Sequence, residues 1–256
     1  MREALYRALC ETDPVAKCAQ VAALQPGVWT EAVFDAGPIP GRPARPPLVH
    51  PRDVPHRGLG SVEGRAALLH AVAHIEFNAI NLALDAAFRF GVLPAAYYAD
   101  WISVAQDEAR HFQLLSARLA ELGYAYGDFD AHNGLWEAAE KTAHDPLIRM
   151  ALVPRVLEAR GLDVTPGMIA RLREMRDAET VAVLEVILRE EVRHVAIGTH
   201  WFHHLCALRR LDPVATFRQL LVDHGVRLRP PLNLEARERA GFSRDEFDPA
   251  VLAQSS

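Results

Sequence analysis

The chain has 256 residues, half of them hydrophobic, and a net charge of −5, enough to bury one substantial core without requiring a second large domain. The acidic balance argues against a broad nucleic-acid surface, and neither an apolar run of about 18 residues nor a charged-then-apolar leader stands out, so no membrane span or signal peptide is expected. Cys10, Cys18 and Cys206 are odd in number and scattered, which suits a reducing, cytoplasmic compartment better than a disulfide framework.

Apolar spacing predicts one helix over residues 2–24, ended by Pro26-Gly27. Periodicity then stops. From Gly37 to Pro55 seven prolines exclude helix and predict an extended, polyproline-like arm. Arg42, Arg45, Arg52 and Arg57 in and after this arm are read as solvated or packed against the fold. Ser61 opens the first long helix, whose stripe of Leu69, Val72, Ala73, Ala79, Ile80, Ala83 and Ala87 carries Glu76 in its middle. Gly91-Val92-Leu93-Pro94 breaks it. The next helix places Tyr97, Trp101, Val104, Ala105, Phe112, Leu115 and Leu119 on the face that also holds Glu108 and His111. After a loop over 123–133, a third helical segment over 135–160 is expected to kink at Asp145-Pro146 and near Pro154, with Glu158 close to its end. A break over 161–166, with Thr165 as the next N-cap, leads to a short helix reaching about Arg176. A fourth long helix over 179–208, one more over 213–224 and an irregular tail complete the chain. Strand signals are nearly absent, so the expected class is all-α, with residues 1–60 as helix and arm, 61–209 as a four-helix bundle and 210–256 as a C-terminal helix and tail.

Two pentads carry the chemistry: Asp107-Glu108-Ala109-Arg110-His111 and Glu190-Glu191-Val192-Arg193-His194. In each, the second acidic residue and the histidine stand at i and i+3, one turn apart on one helix face. A lone Glu-x-x-His occurs by chance about once in a chain of this composition, so the weight lies in the arrangement. Glu76 precedes Glu108 by 32 positions, with the midpoint inside the Gly91–Pro94 break. In an antiparallel helical hairpin, residues equidistant from the turn lie at the same height. Glu158 precedes Glu191 by 33 positions, so the chain reads as two copies of one hairpin, the second less tidy because its expected break comes before the midpoint.

Four carboxylates in apolar stripes would cost several kcal/mol each if left uncompensated in a dry core. Arg110 and Arg193 lie two positions past their glutamates, about 200° around the helix, so a cation must come from elsewhere. Two metal ions held by Glu76, Glu108, His111, Glu158, Glu191 and His194 supply it, and mixed oxygen and nitrogen ligands suit iron or manganese better than zinc. Asp107 and Glu190 are placed to accept the second ring N–H of His194 and His111 respectively. His70, His74, His200, His203 and His204 are read as surface or second-site groups rather than metal ligands. Tyr97, Trp101, Phe112 and Trp136 are read as core.

This constellation resembles the ferritin-like diiron-carboxylate superfamily over roughly residues 61–208, whose bundles take a Glu from each of two helices and Glu-x-x-His from each of the other two. Within it the chain is similar to a bacterial family known only as domain of unknown function 455, through Lys141-Thr142-Ala143-His144-Asp145 and the run Leu152-Val153-Pro154-Arg155-Val156-Leu157-Glu158-Ala159-Arg160-Gly161-Leu162-Asp163. A more distant similarity is to the diiron tRNA hydroxylases. The resemblance implies an antiparallel four-helix bundle, two iron ions (or manganese) on the six ligands, and Glu108 and Glu191 as bridging carboxylates. It implies an oxygen-activating oxidoreductase or hydroxylase acting on a small molecule with an external electron donor; the alternative is a ferroxidase or iron-handling protein without organic substrate. A membrane partner is not expected, a tRNA substrate has no support in the charge balance, and a homodimer is left open.

Overall fold

The computed structural model describes residues 1–28 and 39–247, so Gly37 and Pro38 at the start of the arm, and the last residues of the tail, lie outside the described residues. Among the described residues the fold is all-α: there is no strand, only an isolated bridge between Leu48 and Ala131. Two compact units are formed, Met1–Glu137 with Met175–Val183, and Ala138–Glu174 with Leu184–Ser256.

In the first unit the N-terminal segment is two helices, α1 (Arg2–Cys10) and α2 (Pro14–Ala22), rather than one. Asp13 explains the break. Its side chain accepts from the Ala16 amide at 2.8 Å, and Pro14 behind it suits a first helical turn but not a helix interior. Helix α3 (Val62–Arg89) starts at Ser61, whose hydroxyl caps the Gly64 amide as the sequence predicts. Helix α4 (Ala95–Glu121) follows a turn in which Val92 takes a φ of 63°, a conformation a β-branched residue adopts only under constraint.

The two long helices pack against each other, with α1 on α3 and α2 on α4. The arm packs on this unit rather than standing free. Lys17, fully buried, donates to the Leu9 and Gly41 carbonyls and to Asn81 Oδ1, tying α1, the arm and α3 together. A Cβ at Gly41 would stand 2.0 Å from the Cys10 carbonyl oxygen, so only glycine allows that approach. Helix α3 is also long and apolar enough to cross a membrane, and most of that surface is buried, as in the core helix of a soluble protein.

The second unit departs most from expectation. Helix α5 (Gly134–Lys141), which begins in the first unit, stops well before α6 (Pro146–Leu152), which Asp145 caps through the Leu147 amide. A π-helical stretch, Val153–Glu158, takes the place of a simple kink at Pro154. Helix α7 (Ala159–Glu174) then runs straight through 161–166, so the predicted break and the Thr165 cap are both corrected. Pro166 sits inside α7 and cannot donate to the Leu162 carbonyl four residues earlier. Asn233 Nδ2 supplies the missing donor at 3.1 Å, and burial of Leu162, Ile169 and Leu172 holds the helix together across the proline.

The turn falls instead at Met175-Arg176, where Arg176 has a φ of 57°. Asp177 accepts from the Thr180 amide and opens α8 (Ala178–Arg209). Helix α9 (Pro213–Asp223) follows as predicted. The tail is not wholly irregular, because it contains α10 (Leu234–Arg239), capped by Asn233, and a 3-10 turn over Arg244–Phe247.

Candidate metal centre

The α3–α4 hairpin brings three of the predicted ligands together. His111 Nδ1 lies 3.1 Å from Glu76 Oε2 across the hairpin and 3.4 Å from Glu108 Oε2 one turn back on its own helix. These ligand atoms all fall within 4.8 Å of one another, and the three residues are 4 %, 1 % and 0 % exposed for Glu76, Glu108 and His111. Ala73 and Ile80 flank Glu76, and Ala105 and Phe112 flank Glu108, all buried. A register centred on the turn near residue 92 produces this meeting, as the 32-residue interval requires.

Electrostatics shows how strongly the cluster favours positive charge. Burial alone would lower the His111 pKa, yet hydrogen bonds and negative charge from Glu108 and Glu76 outweigh it and push the imidazole well above its ordinary value. Two carboxylates in a dry pocket demand a positive charge at their centre. A proton on the ring can supply it, but a cation supplies it while leaving the ring nitrogen free to ligate. Arg110 does not: it is exposed and donates to Asp107 at 2.9 Å. Two carboxylates and one imidazole, all buried, form a cluster that could hold a metal ion.

The second unit holds the other three predicted residues. Glu191 and His194 stand one turn apart on α8, with Glu191 Oε1 3.5 Å from His194 Nδ1, and both are buried. Glu158 closes the π-helical stretch and is half-buried. With the turn at Met175-Arg176, the midpoint between Glu158 and Glu191 falls beside it, so the second copy of the hairpin is as regular in spacing as the first. Glu190, the other residue expected to orient a ring, lies 3.8 Å from Arg189.

Two of the histidines read as surface or second-site groups, His70 and His74, are buried. His70 Nε2 accepts from the Gly127 amide at 2.9 Å, and His74 lies 2.9 Å from the Tyr126 hydroxyl and 3.0 Å from the His132 carbonyl. Burial lowers both rings to about 4. Tyr126 stacks on His70 and meets Phe112 edge to face at 4.9 Å, so the loop over 123–133 is pinned to α3 by its two histidines. A small cleft beside them is lined by Arg42, Pro43, Pro46, Leu48, His74, Phe77 and Tyr126. Sequence reading missed this arrangement, although an i, i+4 pair of histidines facing a loop rich in glycine and aromatics was a usable signal. Tyr97, Trp101, Phe112 and Trp136 are core, as expected.

The model of the family described as "Protein of unknown function (DUF455)" matches residues 10–248. A protein of Haemophilus influenzae described as "Uncharacterized protein" is 50 % identical over 214 residues, covering 80 % of this chain and 74 % of its own length. No solved structure matches the chain.

Proposed function

The chain belongs to the family described as protein of unknown function (DUF455), and from its own residues we propose that it is a dinuclear metal-carboxylate protein, an oxygen-activating oxidoreductase with a small-molecule substrate. The observation that carries this reading is the buried Glu76, Glu108 and His111 cluster, in which two carboxylates and an imidazole converge in an apolar setting and the carboxylates favour positive charge on the ring. Glu158, Glu191 and His194 repeat the same residue types at nearly the same interval, and on this reading they complete six ligands for two ions. When bound, a pair of iron ions supplies the oxygen-binding and electron-transfer chemistry.

The rest falls to the chain. Glu76 and His111 fix each other's orientation through their contact, and the alanines, Ile80 and Phe112 around the carboxylates exclude water, which strengthens every charge interaction inside. Glu108 and Glu191, both buried, would each offer a carboxylate to the metal. Reducing equivalents come from an external donor, and the free thiols of Cys10, Cys18 and Cys206 suit a cytoplasmic setting.

Anaerobic loading with ferrous iron followed by oxygen tests the proposal. About two ions per chain and a new visible absorption on oxygen addition are expected. A chain that takes up no iron, or whose spectrum is unmoved by oxygen, refutes it, and accumulation of many iron atoms per chain transfers the assignment to iron handling. With manganese as the competing ion, metal analysis of protein from its native host decides between the two.

A further inference from the structure

The C-terminal residues do more than cover the second unit. Arg155, at the middle of the π-helical stretch and fully buried, donates through Nη2 to Glu246 Oε1 at 2.6 Å and through Nε to Thr199 Oγ1 at 3.3 Å. Its guanidinium carbon lies 4.4, 4.2 and 4.3 Å from the ring centres of Phe202, Phe217 and Phe242, which come from α8, α9 and the tail. Five residues past Glu158, the buried Asp163 takes two bonds from Arg237, at 2.9 and 2.7 Å, and one from the Asn233 amide. Asn233 also caps the Leu162 carbonyl that Pro166 leaves without a donor. Beside this, a Cβ on Gly198 would stand 2.3 Å from Pro154 Cβ, so α8 and the π-helical stretch touch without slack.

Glu158 therefore lies between two polar clamps, Arg155–Glu246 before it and Asp163–Arg237 after it, both closed by the tail. Arrangement and cost point the same way. Two charges buried among aromatic rings are an expensive means of fastening a tail that Phe242 and Phe247 already anchor by burial, whereas a buried pair does fix a register. A π-helical stretch also has a geometry that its own poorer hydrogen bonds hold weakly.

We propose that Arg155 and Glu246 are positioning residues for the Glu158 carboxylate, which rests on the reading of Glu158 as a metal ligand. Through this pair the tail sets how the π-helical stretch presents Glu158, and loss of the pair loosens one ion without unfolding the bundle.

Chelator-competition titration of the full chain with ferrous iron under anaerobic conditions tests this, using wild type, Glu246→Gln, Glu158→Gln and the double variant. Glu246→Gln is expected to weaken one of the two ions about 10- to 100-fold and to leave the other within about 2-fold, the range for removal of a group that orients a ligand. In the Glu158→Gln background the same change is expected to do nothing further. Unchanged affinity in Glu246→Gln, or an equal loss in both backgrounds, overturns the proposal. Should Glu246→Gln lose its helical circular dichroism, Glu246→Asp and Arg155→Lys keep the charges and shorten the reach, and the same two criteria apply. Failure of wild type itself to take up iron shows the metal reading to be wrong before any variant is compared, and the positioning role falls with it.

Discussion

The two copies of the hairpin present similar sets of glutamate and histidine side chains by different means. In the first, two regular α-helices and a five-residue turn bring Glu76 to within 3.1 Å of His111, and the register is fixed by packing together with the Tyr97 hydroxyl, which donates to the Ala86 carbonyl across the hairpin. In the second, the single glutamate sits at the end of a π-helical stretch that buried Arg155, Arg237, Asp163 and Glu246 hold in place. A site that packing positions is rigid because moving it opens a void; one that a polar network positions is rigid only while every partner is present. The second copy is thus the one that distant changes can adjust.

Glu108→Ala breaks the first copy directly. It removes a buried carboxylate one turn from His111, and on the proposed metal reading it should reduce affinity for at least one ion by about 100-fold or more, beyond the range seen for groups that merely orient a ligand. Metal analysis after anaerobic loading checks it. The fold should persist, because replacing a buried carboxylate removes like-charge crowding as well as a ligand; a cooperative thermal transition in the variant would show this, and its loss would mean that Glu108 is chiefly structural.

Acid should act on the first unit through its two buried histidines. Their folded pKa values, about 4, lie below the ordinary 6.5, so between pH 6.5 and 4 the unfolded chain binds more protons and stability falls as pH falls. The full penalty, on the order of 3 kcal/mol for each ring, is present below about pH 4 and absent above 6.5. Thermal unfolding across this window should show the slope, and His74→Gln should flatten it, provided the substitution keeps the bond to Tyr126. Equal slopes in variant and wild type would show that His74 is not held neutral.

How much of this was readable in the sequence follows the same division. The α3–α4 hairpin was legible almost to the residue, because Ser61, the apolar stripe and the Gly91–Pro94 break are local signals that agree with one another. Residues 161–166 misled because Gly161 and Pro166 are local breakers whose effect is cancelled by a partner, Asn233, about 70 positions away. A still longer separation, 91 positions, hides Arg155 and Glu246, for nothing near either residue announces a buried charge. Local chemistry is legible from spacing; compensation between distant segments is not.

Gly198→Ala tests the contact between α8 and the π-helical stretch without touching a charge. The added methyl meets the Pro154 ring, and overpacking of this kind costs about 1–3 kcal/mol, several degrees in unfolding temperature for a chain this size. Gly41→Ala, which drives a methyl against the Cys10 carbonyl, should cost a similar amount in the first unit while leaving iron affinity alone. If Gly198→Ala weakens iron binding and Gly41→Ala does not, the two sets of glutamate and histidine differ in sensitivity as their architectures suggest.

The smallest effect is expected at Arg173, which pairs with Glu185 across the turn between α7 and α8. This turn is the counterpart of the Gly91–Pro94 turn in the first hairpin, so its strength bears on whether the second copy is held near its turn or by its tail. Both side chains are largely exposed, and a pair of that kind contributes about 0–1 kcal/mol because solvent screens it and two long side chains must be ordered to form it. Arg173→Ala should therefore shift the unfolding temperature by no more than a few degrees, and less still at high salt. A large, salt-sensitive loss would place the strength of the second hairpin at its turn, and the tail would then be an accessory rather than the clasp that sets Glu158.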